Sequence, residues 1–228
     1  MTDPQPVRTR VDAVYVQVRA DILAGRLHPG DKLPLADLTQ RYDAKMGTVR
    51  EALLKLASEE DLVVAEPQVG FRVRPISTDD LEELTEARQV MEAEVFRISI
   101  EQGDLEWESR VIASHHRLTR VPQMDPDDPA RISDEWARAH ADFHETLLSG
   151  CTNARLRNVA LTWRAAAELY RRWSVTTPHQ GRDIAAEHRA LCEAAVAREV
   201  DRGVDLLRTH ISTTTQALLA SERSAAQR

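Results

Sequence analysis

The stretch Lys45-Met46-Gly47-Thr48-Val49-Arg50-Glu51-Ala52-Leu53-Leu54-Lys55-Leu56 decides the reading of this 228-residue chain. Val49, Leu53, Leu56 and Ala57 return at spacings of three and four, so a helix starting near Met46 or Gly47 has them as its inner face. Its N-terminal end carries the cations Lys45 and Arg50, the hydroxyl of Thr48 and, at Gly47, room for close backbone approach. A helix start offers free N–H groups and the positive end of the helix dipole. Such a tip suits phosphate and the base edges in a DNA major groove.

Upstream, Leu35 to Tyr42 reads as a short helix, preceded by the turn at Pro29-Gly30. Val11, Val14, Val18 and Ile22 mark a first helix that ends at Gly25, and the polar residues 1–10, with Pro4 and Pro6, read as a disordered lead-in. Downstream, Leu62 to Ala65 and Phe71 to Arg74 read as strands around the turn Glu66-Pro67-Gln68-Val69-Gly70. Helix, helix, helix, hairpin over residues 11–76 predicts a winged helix-turn-helix. Gln68 and Gly70 lie at its wing tip, with Arg72 and Arg74 along the following strand. A small α/β unit with merely solvated charges fits the same pattern.

Pro75 closes this unit, and Ser77 with Asp80 resembles a capping box that opens the next. Everything beyond reads as helix: Thr78 to Gln102, Leu105 to Val121, Ser133 to Ser149, Ala154 to Val175, Asp183 to Glu199 and Val204 to Ala220. The breaks are Gly103, residues 122–129, Gly150, residues 178–181 and a weak one near Gly203. The fold class is therefore mainly α: a winged helix-turn-helix on residues 11–76, then a bundle of about six helices on residues 77–228.

The net charge of −7 argues at first against a nucleic-acid partner. It is unevenly distributed, however: residues 1–76 hold 11 Lys and Arg against 11 Asp and Glu, and the rest hold 19 against 26. Phosphate contact is local, so a neutral first part can still bind DNA. No apolar run spans a membrane, no secretory leader opens the chain, and Cys151 and Cys192 stand in no metal or redox spacing, as expected of a cytoplasmic protein.

In the second part, His140 and His144 are four apart on one helix and project from one face, while His188 and His210 lie on later helices. Neutral imidazole binds Zn²⁺, Ni²⁺ and related divalent ions, and bundles assemble such ligands from facing helices. Structural or surface histidines fit the spacing equally. The remaining histidines, His28, His115, His116 and His179, fall in turns or at exposed positions. A metal-dependent hydrolase is an alternative, but Ala141 stands where the H-E-x-x-H motif needs its general base. No nucleophile elbow, P-loop or dinucleotide fingerprint occurs either, which points away from an enzyme. A protein-interaction module is the other alternative.

The blocks I-L-A-G-R-L-H-P-G-D-K-L, L-T-Q-R-Y-D, V-R-E-A-L-L-K-L and V-G-F-R-V together resemble the winged-helix domain of the GntR family of bacterial regulators. By this resemblance Arg50 matches the arginine with which the family contacts DNA, and Gly70 matches its wing glycine. Lys45-Met46-Gly47-Thr48 replaces the family's Ser-Arg-Thr-Pro, so a guanine-reading arginine is missing at Met46. Glu60-Asp61 stands where Gly is common.

The blocks R-Q-V-M-E, H-A-D-F-H-E-T-L-L-S-G-C-T-N, E-H-R-A-L-C-E-A-A-V-A-R-E and R-T-H-I resemble the FCD effector domain of the FadR subfamily within GntR. Many such domains hold a divalent metal on one Asp and three His, beside an anionic metabolite. His144, His188 and His210 match the three histidines, and His140 stands at the Asp position. Asp142 cannot replace that Asp, because two residues along a helix it points elsewhere. Four neutral ligands leave the ion's charge uncompensated, which favours a carboxylate effector. Arg88 matches the subfamily's arginine in R-x-x-x-E and is placed to clamp that carboxylate, or else to pair with Glu92 one turn on. The H-x-x-F-H variant, with D-E-W before it and G-C after, is similar to a branch of glutarate-responsive repressors tied to carbon starvation. The resemblance implies a homodimeric repressor on a near-palindromic double-stranded operator, with Zn or Ni in the sensor.

Overall fold

The computed structural model describes residues 9–128, 132–173 and 182–226; most of the lead-in, the break at 178–181 and His179 lie outside these. The chain divides into two compact units, Met1–Ser77 and Thr78–Arg228.

The first unit begins with α1 (Arg10–Leu23). Thr9 caps it: its hydroxyl accepts from Asp12 N–H at 3.1 Å, and the Asp12 carboxylate accepts from Thr9 N–H at 3.2 Å. This reciprocal capping box makes Thr9 and Arg10 part of the helix start rather than of the lead-in. Helix α2 (Leu35–Arg41) and helix α3 (Met46–Glu59) follow, and Val14, Val18 and Ile22 of α1 pack with Val49, Leu53 and Leu56 of α3 in the buried core. Ala52 completes the α3 face, while Ala57 is only half-buried.

Strands β1 (Val63–Glu66) and β2 (Gly70–Val73) pair antiparallel, with Val63 opposite Val73 and Glu66 opposite Gly70. The Pro29-Gly30 turn proves to feed the wing. Leu33 N–H donates to Phe71 C=O at 2.8 Å and Val73 N–H to Asp31 C=O at 2.9 Å, so this loop lies along the free edge of β2. Gly70 has φ +124°, which only glycine adopts without strain. Asp61, where the family favours Gly, holds φ +54°, a left-handed conformation that Asp tolerates better than most residues.

The second unit comprises α4 (Thr78–Gln102), α5 (Leu105–Thr119), α6 (Asp134–Leu148), α7 (Ala154–Trp173), α8 (Ile184–Val196) and α9 (Val200–Ala226). Phe96 and Ile100 of α4, Trp107 and Val111 of α5, Phe143 and Leu147 of α6, Leu191 of α8 and Leu207 of α9 form one buried core. Each such side chain contributes about 1.5–3 kcal/mol by leaving water. The side chains of Asp104, Ser133 and Asp183 cap α5, α6 and α8.

The expected break near Gly203 is absent, because Gly203 lies inside α9. A Cβ there would come within 2.7 Å of Ile100 Cδ1 and 3.2 Å of Phe96 Cε1. The glycine therefore serves close approach of α9 to α4 and does not end a helix. The chain turns instead at Arg198, whose φ is +58° and whose guanidinium donates to Ile100 C=O and to Glu108. His115 also departs from expectation: it is half-buried against Phe143, ring centroids 5.4 Å apart, with no hydrogen-bond partner for Nε2.

Candidate DNA-reading face and histidine site

In the first unit, Lys45, Met46, Gly47 and Arg50 are exposed at the start of α3, and Thr48 is half-buried. Among the described residues no side chain caps this helix start, in contrast to the capped α1, which suits its first N–H groups to an anion. Gln68, Val69 and Gly70 are exposed at the wing tip. Arg72 is a correction. Its guanidinium donates to Glu66 at 3.1 Å across the hairpin and to Gly30 C=O, so its charge is engaged within the wing. Arg74 is likewise held by the carbonyl and the carboxylate of Asp61.

In the second unit, α6 supplies His140 and His144, α8 supplies His188 and α9 supplies His210. All four are buried, and one ring nitrogen of each lies within 4.8 Å of the others. His144 Nε2 and His188 Nε2 are 3.3 Å apart. Two nitrogens at about 2.0–2.1 Å from one tetrahedral ion lie about 3.3 Å from each other, so this pair already has a ligand-like separation.

Burial first, and then the charges of Arg171 on His140 and Arg164 on His144, hold these two imidazoles well below their usual pKa. Burial does the same to His188, and it lowers His210 against the opposing pull of Glu187. The rings are therefore neutral, as ligands must be.

The four rings are not equivalent. His210 Nδ1 donates to Glu187 at 2.7 Å, which leaves the Nε2 lone pair for an ion. Glu187 is itself bound by Arg182 at 2.6 and 2.7 Å. Burial would raise its carboxyl, but the bonds from Arg182 and His210 outweigh this and bring it to about 2. His140 instead receives the guanidinium of Arg171 on Nδ1, and Trp136 stacks on its ring at 4.7 Å. Of the four, His140 is the least free to ligate. Asp142 is exposed and pairs with Arg117 at 2.8 Å, away from the cluster.

Beside His140 and His210 lies a cavity of about 220 Å³ whose lining includes Arg88, Arg164, Arg171 and Arg182. This is below the roughly 300–1,000 Å³ of sites for drug-sized ligands, so it suits a small metabolite. Arg88 lines the cavity, but its Nε also bonds Glu92 at 2.5 Å. The pairing with Glu92 one turn on is thus present, with Arg88 also at the cavity wall.

Among the described residues, the close ion pairs of this region join Arg88, Arg164, Arg171, Arg172 and Arg182 to Glu92, Glu168, Glu187 and Asp134, and Glu145 also acts on Arg164 at longer range. The loosest of these pairings is that of Arg164. Its nearest carboxylate oxygen, on Glu92, is 3.9 Å away, and burial lowers its pKa to about 10. Sequence reasoning missed Arg164, Arg171, Arg182 and Glu187. The arginines lie outside any motif spacing, and Glu187 is visible only as the neighbour of His188.

Among the described residues no helix is long and apolar enough to cross a membrane. Residues 10–73 match the bacterial regulatory proteins of the gntR family, and residues 83–213 match the FCD domain. The chain is 39% identical over 207 residues to the HTH-type transcriptional regulator BphR of Paraburkholderia xenovorans (strain LB400), covering 91% of this chain and 84% of that one. It is 32% identical over 203 residues to the HTH-type transcriptional repressor GlaR of Escherichia coli (strain K12), covering 87% and 91%. In fold it is similar to E. coli McbR/YncC, with a TM-score of 0.76 at 16% identity over 95% of this chain and all of the other. A putative GntR regulator from Rhodococcus sp. RHA1 gives 0.69 at 22% identity over 92% and 98%. These relatives are regulators and not enzymes, which removes the hydrolase alternative. The chain belongs to the GntR family of DNA-binding transcriptional regulators, and its second unit is an FCD domain.

Proposed function

We propose that this regulator is a homodimeric, cytoplasmic repressor whose grip on a near-palindromic operator is set by a small carboxylate bound at a divalent metal in the FCD domain. In this reading residues 11–76 form the DNA-binding domain behind a lead-in at 1–10, and residues 77–228 form the effector-binding and dimerisation domain. The sign of regulation follows GlaR, a relative named as a repressor.

The observation that carries the reading is the convergence of four neutral imidazoles beside a cavity with more guanidinium than carboxylate. His144, His188 and His210 would hold the ion, with His140 as the fourth and weakest ligand. An all-nitrogen set suits Zn²⁺ or Ni²⁺. When bound, the ion supplies a positive centre that attracts the acid. Arg164 and Arg88 would take the carboxylate; Arg164 has the greater need, since its own pairing is loose. Arg88, Arg164 and His210 lie on α4, α7 and α9, so a ligand joining them changes how these helices favour packing. Operator affinity then changes to the extent that the acid prefers one arrangement over another. On the DNA, Lys45, Thr48 and Arg50 of α3 would enter the major groove, with Gln68 and Gly70 at the wing. Arg72 acts there only if it leaves Glu66. The two α3 helices of a dimer would meet half-sites about 34–36 Å apart.

The test uses the full chain purified without chelator, analysed for metal and then titrated onto DNA from upstream of its own gene. About one equivalent of metal per chain, a salt-dependent shift and release by a short mono- or dicarboxylic acid (glutarate among them) are expected. Less than about a tenth of an equivalent, with no thermal shift on adding Zn²⁺ or Ni²⁺, would defeat the metal assignment.

A further inference from the structure

Met46 is the first residue of α3 and is 55% exposed. It lies between Lys45, also exposed, and Gly47, around whose position a Cβ would find no atom within 4 Å. Arg50 stands one turn further on, so Met46 and Arg50 share a face of the helix. Leu54, 45% exposed, continues that face, about 12 Å along the axis from Met46. The buried Val49, Leu53 and Leu56 run along the flank next to Met46, so Met46 stands at the edge of the exposed face. The exposed face of α3 thus carries Met46, Gly47, Arg50, Glu51 and Leu54, with an apolar side chain at its leading end.

An apolar side chain there has a single partner of its own kind. The major-groove edges of guanine, cytosine and adenine present only hydrogen-bond donors and acceptors, and thymine alone adds a C5-methyl group. A thioether has no donor and is a weak acceptor, so Met46 gains nothing from the polar edges and would strip water from them. Its long unbranched chain can reach a base from the first helical position, where recognition helices make their base contacts.

We infer that Met46 reads a thymine methyl, so that it specifies an A·T pair at one position of each half-site. Val69, 67% exposed, is not equivalent, because it sits at the wing tip and not on α3. The inference rests on the proposed operator reading, since it needs α3 in the major groove.

The experiment selects duplexes from a random pool with the full chain, then replaces each thymine of the consensus by uracil, which removes only the C5 methyl. Dissociation constants are measured at one fixed salt concentration for wild type and for Met46→Ala, whose exposed position leaves the core untouched. At one thymine per half-site, uracil should weaken wild-type binding about fourfold, the worth of one buried methyl, and should leave Met46→Ala unaffected. In a second selection, Met46→Arg should convert that pair to G·C. Equal uracil penalties for wild type and Met46→Ala at every position, with the Met46→Arg consensus unchanged, would overturn the inference and leave operator binding intact. Retention of no duplex would overturn both together.

Discussion

The two units bury charge in opposite ways. In the DNA-binding unit the buried carboxylate of Asp21 is surrounded by donors: Tyr42 Oη at 2.7 Å, Arg26 Nε at 2.6 Å and Arg41 at 2.6 Å. Burial would raise its pKa, but the bonds from Tyr42 and Arg26 and the charge of Arg41 hold it below the usual range. The group closes on itself and ties α1 to α2. In the FCD unit the buried charges do not close. Arg164 is held only loosely by Glu92, and of the four buried, neutral histidines two, His140 and His210, reach the cavity wall. A satisfied buried network is structural, whereas an arginine-rich wall beside open volume is what the proposed effector site requires.

The largest break of this contrast is Asp21→Ala, which strands Arg26, Arg41 and Tyr42. We expect a loss of about 3 kcal/mol, the low end for a broken buried pair because Arg26 and Arg41 remain partly exposed. Hydrogen exchange should quicken across α1 and α2. All four tryptophans lie at or beyond residue 107, so the tryptophan melt, which follows only the FCD unit, should not move. Next, Arg50→Ala should weaken operator binding by about 1–3 kcal/mol if Arg50 pairs with a base; an unchanged gel shift would remove it from the interface.

In the sensor, Glu187→Gln should lower metal affinity about 10- to 100-fold by releasing His210, measured by competition with a chromophoric chelator. His140→Ala should cost less metal affinity than His210→Ala, because Arg171 already holds His140 Nδ1. Arg164→Met should have the opposite sign on stability. Removing the loosely paired cation should raise the tryptophan melt by about 2–4 °C, for about 1 kcal/mol, and abolish the response to any acid.

The pH profile separates the units further, because they should lose stability in different windows. Asp21 has a lowered pKa, so its contribution is present above pH 3.8 and is lost as pH falls through its folded value. The histidines are depressed in the folded state, so below pH 6.5 the unfolded chain binds protons that the folded chain refuses. The metal-free FCD unit should therefore begin to destabilise near pH 6.5, well before the DNA-binding unit. Coincident acid limbs by hydrogen exchange and tryptophan fluorescence would erase the distinction.

The fold was largely legible in the chain because its signals are local. The stripe of Val49, Leu53 and Leu56, the turn at Pro29-Gly30 and the spacing of His140 and His144 each lie within a few residues. Gly203 misled for the same reason: locally it reads as a helix breaker, and only the approach of Ile100 and Phe96 from α4 explains it as a packing residue. The bond of Arg72 to Glu66 was not legible in the chain, because the two face each other across the hairpin.

Residue identity and short-range periodicity by themselves determined two units, a helix with Lys45 and Arg50 exposed at its start, and four histidines of ligating type. Only the tertiary structure decided that those histidines meet, that Glu187 bonds His210 while Arg171 bonds His140, and that Arg164 is the most loosely paired of the nearby arginines. The reason is that spacing along one helix sets which side chains share a face. Charge balance and coordination depend on distances between elements far apart in sequence, and those are set by packing.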